Sequence, residues 1–495
     1  MNAKRIPFCG FAAFVVLAGV LRAEQPAAGC DWPQLTGPNG DNTAPVKGLV
    51  DEWPKDGPRL VWSAKIAGGT NKESGVFASP VAAHGKIFVT GRNYEFDPDP
   101  AIKQFKASPD ILFCLDDKDG KELWRHELPL HGPYMPQGRQ NQYIKTCWNT
   151  PVLDGGFVYV RSGDGELRCL NANDGKLFWS WPKDIAVLER MITGHQPIQG
   201  WFNAASSLVV DALIIFNIYG AGRGRLMALD KKTGEIKWEG NDHPCWGWAA
   251  SNLIAMDVGG RKVVLTFNSA FDAKTGSNLI HEKDADGKPV TTFAPAFFNW
   301  ISTVKGTRLL AEFTRKIKEP PASVPAPSTA TAEREKKPGT APKQETGIAL
   351  IEFSFADDGA LKTKTVWEIV NAGEPSFDNG NAYGGPVILG DYIYVFYAQN
   401  SGKNNVACYN FADGKEQWRA TLKHPLGFAN VLAADGKMLY QWNGQLTMLA
   451  ADPKELKELA SSKILGVGMS SPALMGTKLI VRDDGGTVKC FELRK

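Results

Sequence analysis

The sequence lacks most of what would name a chemistry at sight. It has no G-x-S-x-G turn, no H-E-x-x-H pair and no G-x-x-x-x-G-K-[ST] loop. Nucleophilic hydrolysis, zinc proteolysis and phosphate-loop binding therefore have no motif to rest on. A charge excess is missing too: 56 Lys and Arg against 53 Asp and Glu leave +3, which gives no steering towards nucleic acid. Beyond Phe11–Leu21 there is no long apolar run, and that one is too short for a comfortable membrane span. It follows Lys4 and Arg5 and ends at Leu21-Arg22-Ala23, so residues 1–23 read as a cleaved signal peptide. A periplasmic or secreted chain without a transmembrane span is expected. Cys30 follows Ala27-Ala28-Gly29, but Glu24-Gln25-Pro26 part it from the apolar run and no Leu stands three places before it. A lipid anchor is not expected.

What is present points to turns and strands. Fifty-one Gly, 31 Pro and 15 Trp in 495 residues fit an all-β protein and fit a helical one poorly. Asn149–Trp179 shows the unit: Pro151–Leu153, Phe157–Val160 and Leu167–Leu170 are strand-length apolar runs, and a further strand ends on Trp179. Asp154-Gly155-Gly156, Gly163-Asp164-Gly165 and Asn173-Asp174-Gly175 supply the positive φ that hairpin turns need. Four antiparallel strands in one short unit make one propeller blade.

Copies of this unit fill residues 58–495. The closing pattern, apolar–D/N–x–x–T/D–G–K/E–x–x–W, recurs at Leu115–Trp124, Leu170–Trp179, Leu229–Trp238 and Tyr409–Trp418. The fourth copy is weaker, with Leu279-Ile280 where Trp would fall, and the seventh loses its Trp near Leu459. The fifth is interrupted by residues 316–346, too rich in Pro, Ala, Lys and Glu to bury a core, and read as a disordered insertion. The last copy stops one strand short, while Pro58–Trp62 is a strand with no blade before it. Joining the two closes a ring and removes both open edges. The expectation is an eight-bladed β-propeller of four-stranded antiparallel blades, closed by the N-terminal strand. Seven blades is the alternative if the fourth or fifth copy is incomplete. Residues 24–57, with Trp32–Gly40 as their distinctive stretch, read as a strap packing Trp32 onto the body.

The positions of the eight cysteines argue against a disulfide framework. Cys114, Cys169, Cys408 and Cys490 share one slot of the repeat, which other copies fill with Ala228 and Ala270. Such a slot wants a small buried hydrophobe, and free cysteine serves as one.

The repeat resembles that of pyrroloquinoline-quinone (PQQ) dehydrogenases and of PQQ-like propellers, and Trp32–Gly40 is similar to the leader of exported bacterial PQQ-like propellers. The resemblance implies two functions. One is a non-catalytic binding or scaffold module, whose partners would be exported or envelope proteins or a small planar or sugar-like ligand. The other is a quinoprotein oxidoreductase acting on alcohols or sugars with PQQ and calcium. Against the second, such dehydrogenases carry two adjacent cysteines, whereas this chain has no Cys-Cys pair and no C-x-x-C-H haem box. No catalytic residue, metal ligand or firm cofactor is assigned, and a monomer is expected. Fold alone does not give chemistry.

A ligand site would lie where each blade's outer strand connects to the next blade's inner strand. Those connections carry Phe77, Trp148, Asn149, His195, Trp201 and Asn203 in the first half. Trp248, Asn299, Trp300, Tyr383, Phe428 and Asn430 follow in the second. Aromatics with amides between them offer stacking and a few placed hydrogen bonds. The competing expectation is that they seal the blade tops and cap inner-strand turns. The seven histidines share no ligand-like spacing, so a metal site is not expected among them.

Overall fold

The computed structural model of the chain describes residues 31–66, 78–92, 109–129, 149–162, 165–184, 186–187, 206–220, 223–243, 253–266, 269–280, 303–316, 344–370, 385–397, 405–424, 426, 430–466, 468 and 470–495. Eight antiparallel sheets follow one another along it. The first blade is Val81–Ala83, Lys86–Arg92, Asp110–Asp116 and Glu122–Leu128; the second is Val152–Asp154, Phe157–Arg161, Leu167–Asn171 and Leu177–Trp181. In both, the short first strand forms one edge of the sheet. First strands of consecutive blades lie against each other around most of the ring, so these edges face the axis.

The ring closes as the orphan strand requires. Arg59–Lys65 is the fourth strand of the last blade, after Ala473–Met475, Lys478–Arg482 and Thr487–Glu492. It runs antiparallel to Thr487–Glu492, with Arg59 opposite Glu492 and Lys65 opposite Thr487. The fourth blade has three strands among the described residues, Ile254–Val258, Arg261–Thr266 and Ser269–Asp272, where four were expected. In place of a fourth strand, Leu279 N–H donates to the Ala270 carbonyl at 2.8 Å. In the fifth blade, Arg308–Lys316 and Gln344–Phe355 pair out to Lys316 opposite Gln344. Both ends of the 316–346 stretch are therefore strand; its remainder, and the signal segment 1–23, lie outside the described residues.

Neighbouring blades are joined by tryptophan on glycine. In each D/N–x–x–T/D–G turn the Asp or Asn side chain accepts from the N–H two residues on, as Asp116 does from Lys118 at 2.7 Å and Asn410 from Ala412 at 2.8 Å. The Gly then sits at positive φ (71° at Gly120, 70° at Gly175) and exposes bare backbone. The Trp of the preceding blade lies on it: Trp62 on Gly120, Trp124 on Gly175, Trp179 on Gly234, Trp238 on Gly276 and Trp367 on Gly414. Several indoles also donate to a carbonyl of the same turn, Trp62 to Asp117 at 2.9 Å and Trp367 to Phe411 at 3.0 Å. A bulge just before the Trp recurs in the outer strand, between Cys114 and Leu115 pairings in blade one and Cys408 and Tyr409 pairings in blade six. Bulges raise local twist, which turns the ring towards the neighbour.

The cysteine slot is the other side of the same contact. Cys114, Cys169, Cys408 and Cys490 stand opposite Trp124, Trp179, Trp418 and Trp62 across the sheet. All four are free and buried, as expected of a small filler beneath an indole. Burial pushes their thiols up to about 12.

Two predictions follow from this packing. A Cβ on Gly175 would lie 2.5 Å from the Trp124 ring, whereas one on Gly155, at φ 56°, meets nothing within 4 Å. Gly155→Ala should cost about 1–2 kcal/mol, the left-handed strain alone. Gly175→Ala should cost a further ~1–3 kcal/mol for overpacking. Urea midpoints at unchanged m-value check the difference; equal losses would mean that the Trp does not bear on the turn. The thiols add a pH dependence. Unfolded cysteine ionises near about 8.5, and the folded thiols do so only near 12. Stability should be full below the unfolded value and fall as pH rises towards 12. Under native conditions at pH 8 these four thiols should resist alkylation, read peptide by peptide by mass spectrometry, and react once urea unfolds the chain.

Candidate functional site

The channel has two ends, and the strap occupies one. Trp32 and Ala82 exchange both backbone hydrogen bonds, at 2.8 and 2.9 Å, on the axis-facing edge of the first blade. Leu153 N–H donates to Pro33 O at 2.8 Å, and Ala433 exchanges bonds with Asn42 and Ala44 at 2.8 and 2.9 Å. Three first strands, in blades one, two and seven, thus have their inner edges capped by residues 32–44. The strap lies towards the hairpin end of those strands: Asp31 accepts from His84 N–H at 3.3 Å and Asp435 from Leu49 N–H at 3.0 Å. Trp32 is 1% exposed, so its packing on the body is complete.

At the other end a belt of hydroxyls joins the blades. Asn430 N–H donates to Ser471 Oγ at 2.8 Å, Ser471 N–H to Ser79 Oγ at 2.9 Å, Ser79 N–H to Thr150 Oγ1 at 3.0 Å and Thr150 N–H to Ser206 Oγ at 3.2 Å. These residues begin the first strands of blades seven, eight, one, two and three. In three of them a proline follows (Pro472, Pro80, Pro151), which has no N–H to satisfy at the strand start.

A second tier of polar side chains sits one strand further out. Gln441, Arg482, Thr90, Arg161 and Asn217 occupy the same register position, the fifth residue counted from the hairpin, in the second strands of those same five blades. All are at most 3% exposed. Gln441 Nε2 donates to Ser470 O at 3.0 Å and to Arg482 O at 2.9 Å, and Arg482 Nη1 donates to Thr90 O. The Arg161 guanidinium lies 5.2 Å over the Phe216 ring, beside Asn217. Blades four and six carry Leu265 and Phe396 at this position, and blade five carries Glu312.

Two of the sequence-derived candidates fall in this region. Asn149 is 2% and Asn430 5% exposed, at the start of the belt in blades two and seven. Phe77, Trp148, His195, Trp201, Asn203, Trp248, Asn299, Trp300, Tyr383 and Phe428 lie outside the described residues. The hydroxyls of the belt have a sequence signal in the recurring Ser/Thr-Pro of Ser79-Pro80, Thr150-Pro151 and Ser471-Pro472, which the sequence reading misses. It also passed over Gln441 and Arg482, polar residues closing otherwise apolar strands. Among the described residues no three His, Cys, Asp or Glu stand together as a metal-binding group.

The belt yields a direct test. Thr150→Val removes the acceptor of the buried Ser79 N–H and should cost about 1–3 kcal/mol. Urea melts measure it; a neutral result would show that the belt carries no load.

The sequence matches the family described as outer membrane protein assembly factor BamB over residues 108–288. Outer membrane protein assembly factor BamB of Bordetella pertussis is 26% identical over 295 residues, 56% of this chain and 67% of that protein. Quinoprotein alcohol dehydrogenase PedH of Pseudomonas putida is 23% identical over 187 residues, 36% of this chain but 25% of its own length. Among solved structures, quinohemoprotein alcohol dehydrogenase ADHIIG from Pseudomonas putida superposes with a TM-score of 0.52 at 14% identity, over 94% of this chain and 80% of that one. A europium-containing methanol dehydrogenase gives 0.51 at 12%, over 93% and 90%. At such identities the structural likeness concerns the fold.

Proposed function

Because this chain is a β-propeller of the PQQ-like family, we propose that it is an exported binding or scaffold module whose ligand face is the mouth away from the strap. The observation that supports this reading is the use of the mouth's described hydroxyls and side-chain amides. Ser471, Ser79, Thr150, Ser206 and Gln441 bond to neighbouring blades, which makes this end a preorganised rim. Similarity to proteins named as outer membrane assembly factors adds to it and makes envelope proteins the expected partners.

A second reading draws on the relatives named as quinoprotein alcohol dehydrogenases: an oxidoreductase with PQQ and calcium on the same face. A hard cation needs several oxygen ligands converging on one point. Among the described residues no three His, Cys, Asp or Glu stand together that could do so.

One experiment separates the two. The purified chain is mixed with PQQ and Ca²⁺, desalted, and assayed for retained quinone absorbance and for dye reduction with alcohols and aldoses. The scaffold reading expects neither, and expects cross-linking in intact cells to capture envelope proteins. Quinone retention with turnover would overturn it.

A further inference from the structure

We infer that the contact of His126 with Arg168 is a pH-sensitive latch between blades one and two, closed near neutrality and released in mild acid. It is independent of what the mouth binds.

The first support is placement. On the outer strand of blade one, Glu122–Leu128, Trp124 lies on Gly175 of blade two. Two residues on, His126 meets the third strand of blade two, Leu167–Asn171, with its Nε2 3.1 Å from Arg168 Nη1. The same Nη1 donates to the Glu127 carbonyl at 3.5 Å, so one guanidinium holds the strand at two points. At the same register place the other described outer strands carry Ala64, Trp181, Gly240, Ile369, Ala420 and Ser462. None of these titrates.

The second support is chemical. An arginine side chain has only donors, so Nε2 must accept and the imidazole is neutral, its proton on Nδ1. A proton on Nε2 removes that acceptor and sets a second cation against the guanidinium. Arg168 keeps a partner on its own blade, because Glu166 Oε1 lies 3.1 Å from its Nε. Protonation therefore breaks the bond across the joint and leaves the ion pair within blade two intact. The other charges near the ring do not offset this. Glu127 follows on the same strand, Arg125 is bound to Glu122 at 2.6 Å, and in the facing turn Asp174 is bound to Lys176 at 3.0 Å. Across its own sheet His126 stands opposite Leu112, with buried Asp110 two pairings further, opposite Leu128. Burial, then Arg168, hold the imidazole below its ordinary value against the opposing pull of the Gly175 backbone and Glu127. The latch contributes in full above the unfolded imidazole value, about 6.5. Its contribution is lost as pH falls through that value and below it.

The test titrates the purified full chain, labelled at its histidines, by NMR. The His126 signal is the one lost in His126→Gln. Its midpoint should lie about half a unit or more below the ordinary value, and Arg168→Gln should move it up. Hydrogen exchange at about pH 7.5 and about pH 5.5, corrected for the intrinsic rate, reads the joint itself. In acid, Glu122–Leu128 and Leu167–Asn171 should exchange at least about threefold faster relative to the other blades. His126→Gln, whose amide oxygen accepts from Arg168 without titrating, should show no such gain. A wild-type midpoint at or above the ordinary value overturns the inference. So does an acid gain spread evenly around the ring, or one that persists in His126→Gln. Should that variant not fold, the wild-type exchange pattern and the one histidine signal that Arg168→Gln moves decide the matter.

Discussion

The ring depends on an indole resting on a glycine. A propeller blade has its own hydrogen bonds, but those bonds do nothing to hold one blade beside the next. Much of that work falls to apolar burial between sheets, and where the outer strand carries a Trp its indole is the largest side chain in the joint. Truncating a buried Trp typically costs about 3–5 kcal/mol. The contact is possible only where the facing turn has no Cβ: at Gly120 and Gly276 an added Cβ would lie 2.5 Å from an indole carbon. One residue in each of two neighbouring copies therefore fixes the joint, and the sequence repeat is the record of that constraint.

The exceptions obey the same logic. Blade eight is built from both ends of the chain, so it has no turn between its third and fourth strands. The outer strand of blade seven, Glu458–Lys463, has no such glycine to meet, and it carries Ala460 where a Trp is not needed. At the joint of blades four and five, Arg261 takes over. Its guanidinium lies 4.1 Å over the Phe355 ring and donates to Asp272 at 2.8 Å, so a cation–π contact replaces the indole. Trp418 meets a turn without glycine and keeps only its donor bond to Asp452 O at 3.0 Å. Loss of the signature tracks loss of the geometry that required it.

This explains what was legible. Blades one, two, three and six could be read because turn, slot and Trp must recur together at fixed spacing. Closure could be read because Pro58–Trp62 carried a blade ending with no blade attached. The strap's pairing with Ala82, Leu153 and Ala433 could not, because a segment that bonds through its backbone to three separate edges leaves no periodic trace. The belt was hidden for another reason. Ser79-Pro80 and Thr150-Pro151 look like ordinary strand starts, and nothing local says that the hydroxyl serves the adjacent blade. Of the candidate site, Asn149 and Asn430 are buried residues just before the first strands of blades two and seven. The connections between blades follow no repeat, so sequence offered no register in which to place their aromatics.

The similarity to assembly factors and to dehydrogenases alike has the same origin. The turn glycines and tryptophans that any such ring needs are silent about chemistry. What individualises this chain must be sought where the repeat is broken without structural need. Blade seven breaks it because its outer strand faces no turn, and blade four because its described residues form three strands. Gln441, Arg482, Arg161 and Asn217 break it differently. They put polar groups, two of them charged, into a position that Leu265 and Phe396 fill with apolar atoms in the same ring. Burying such groups is costly unless they are matched. Gln441 and Arg482 are matched across the joints, Gln441 donating to Arg482 O and Arg482 to Thr90 O, so they offset that cost by tying neighbouring blades together.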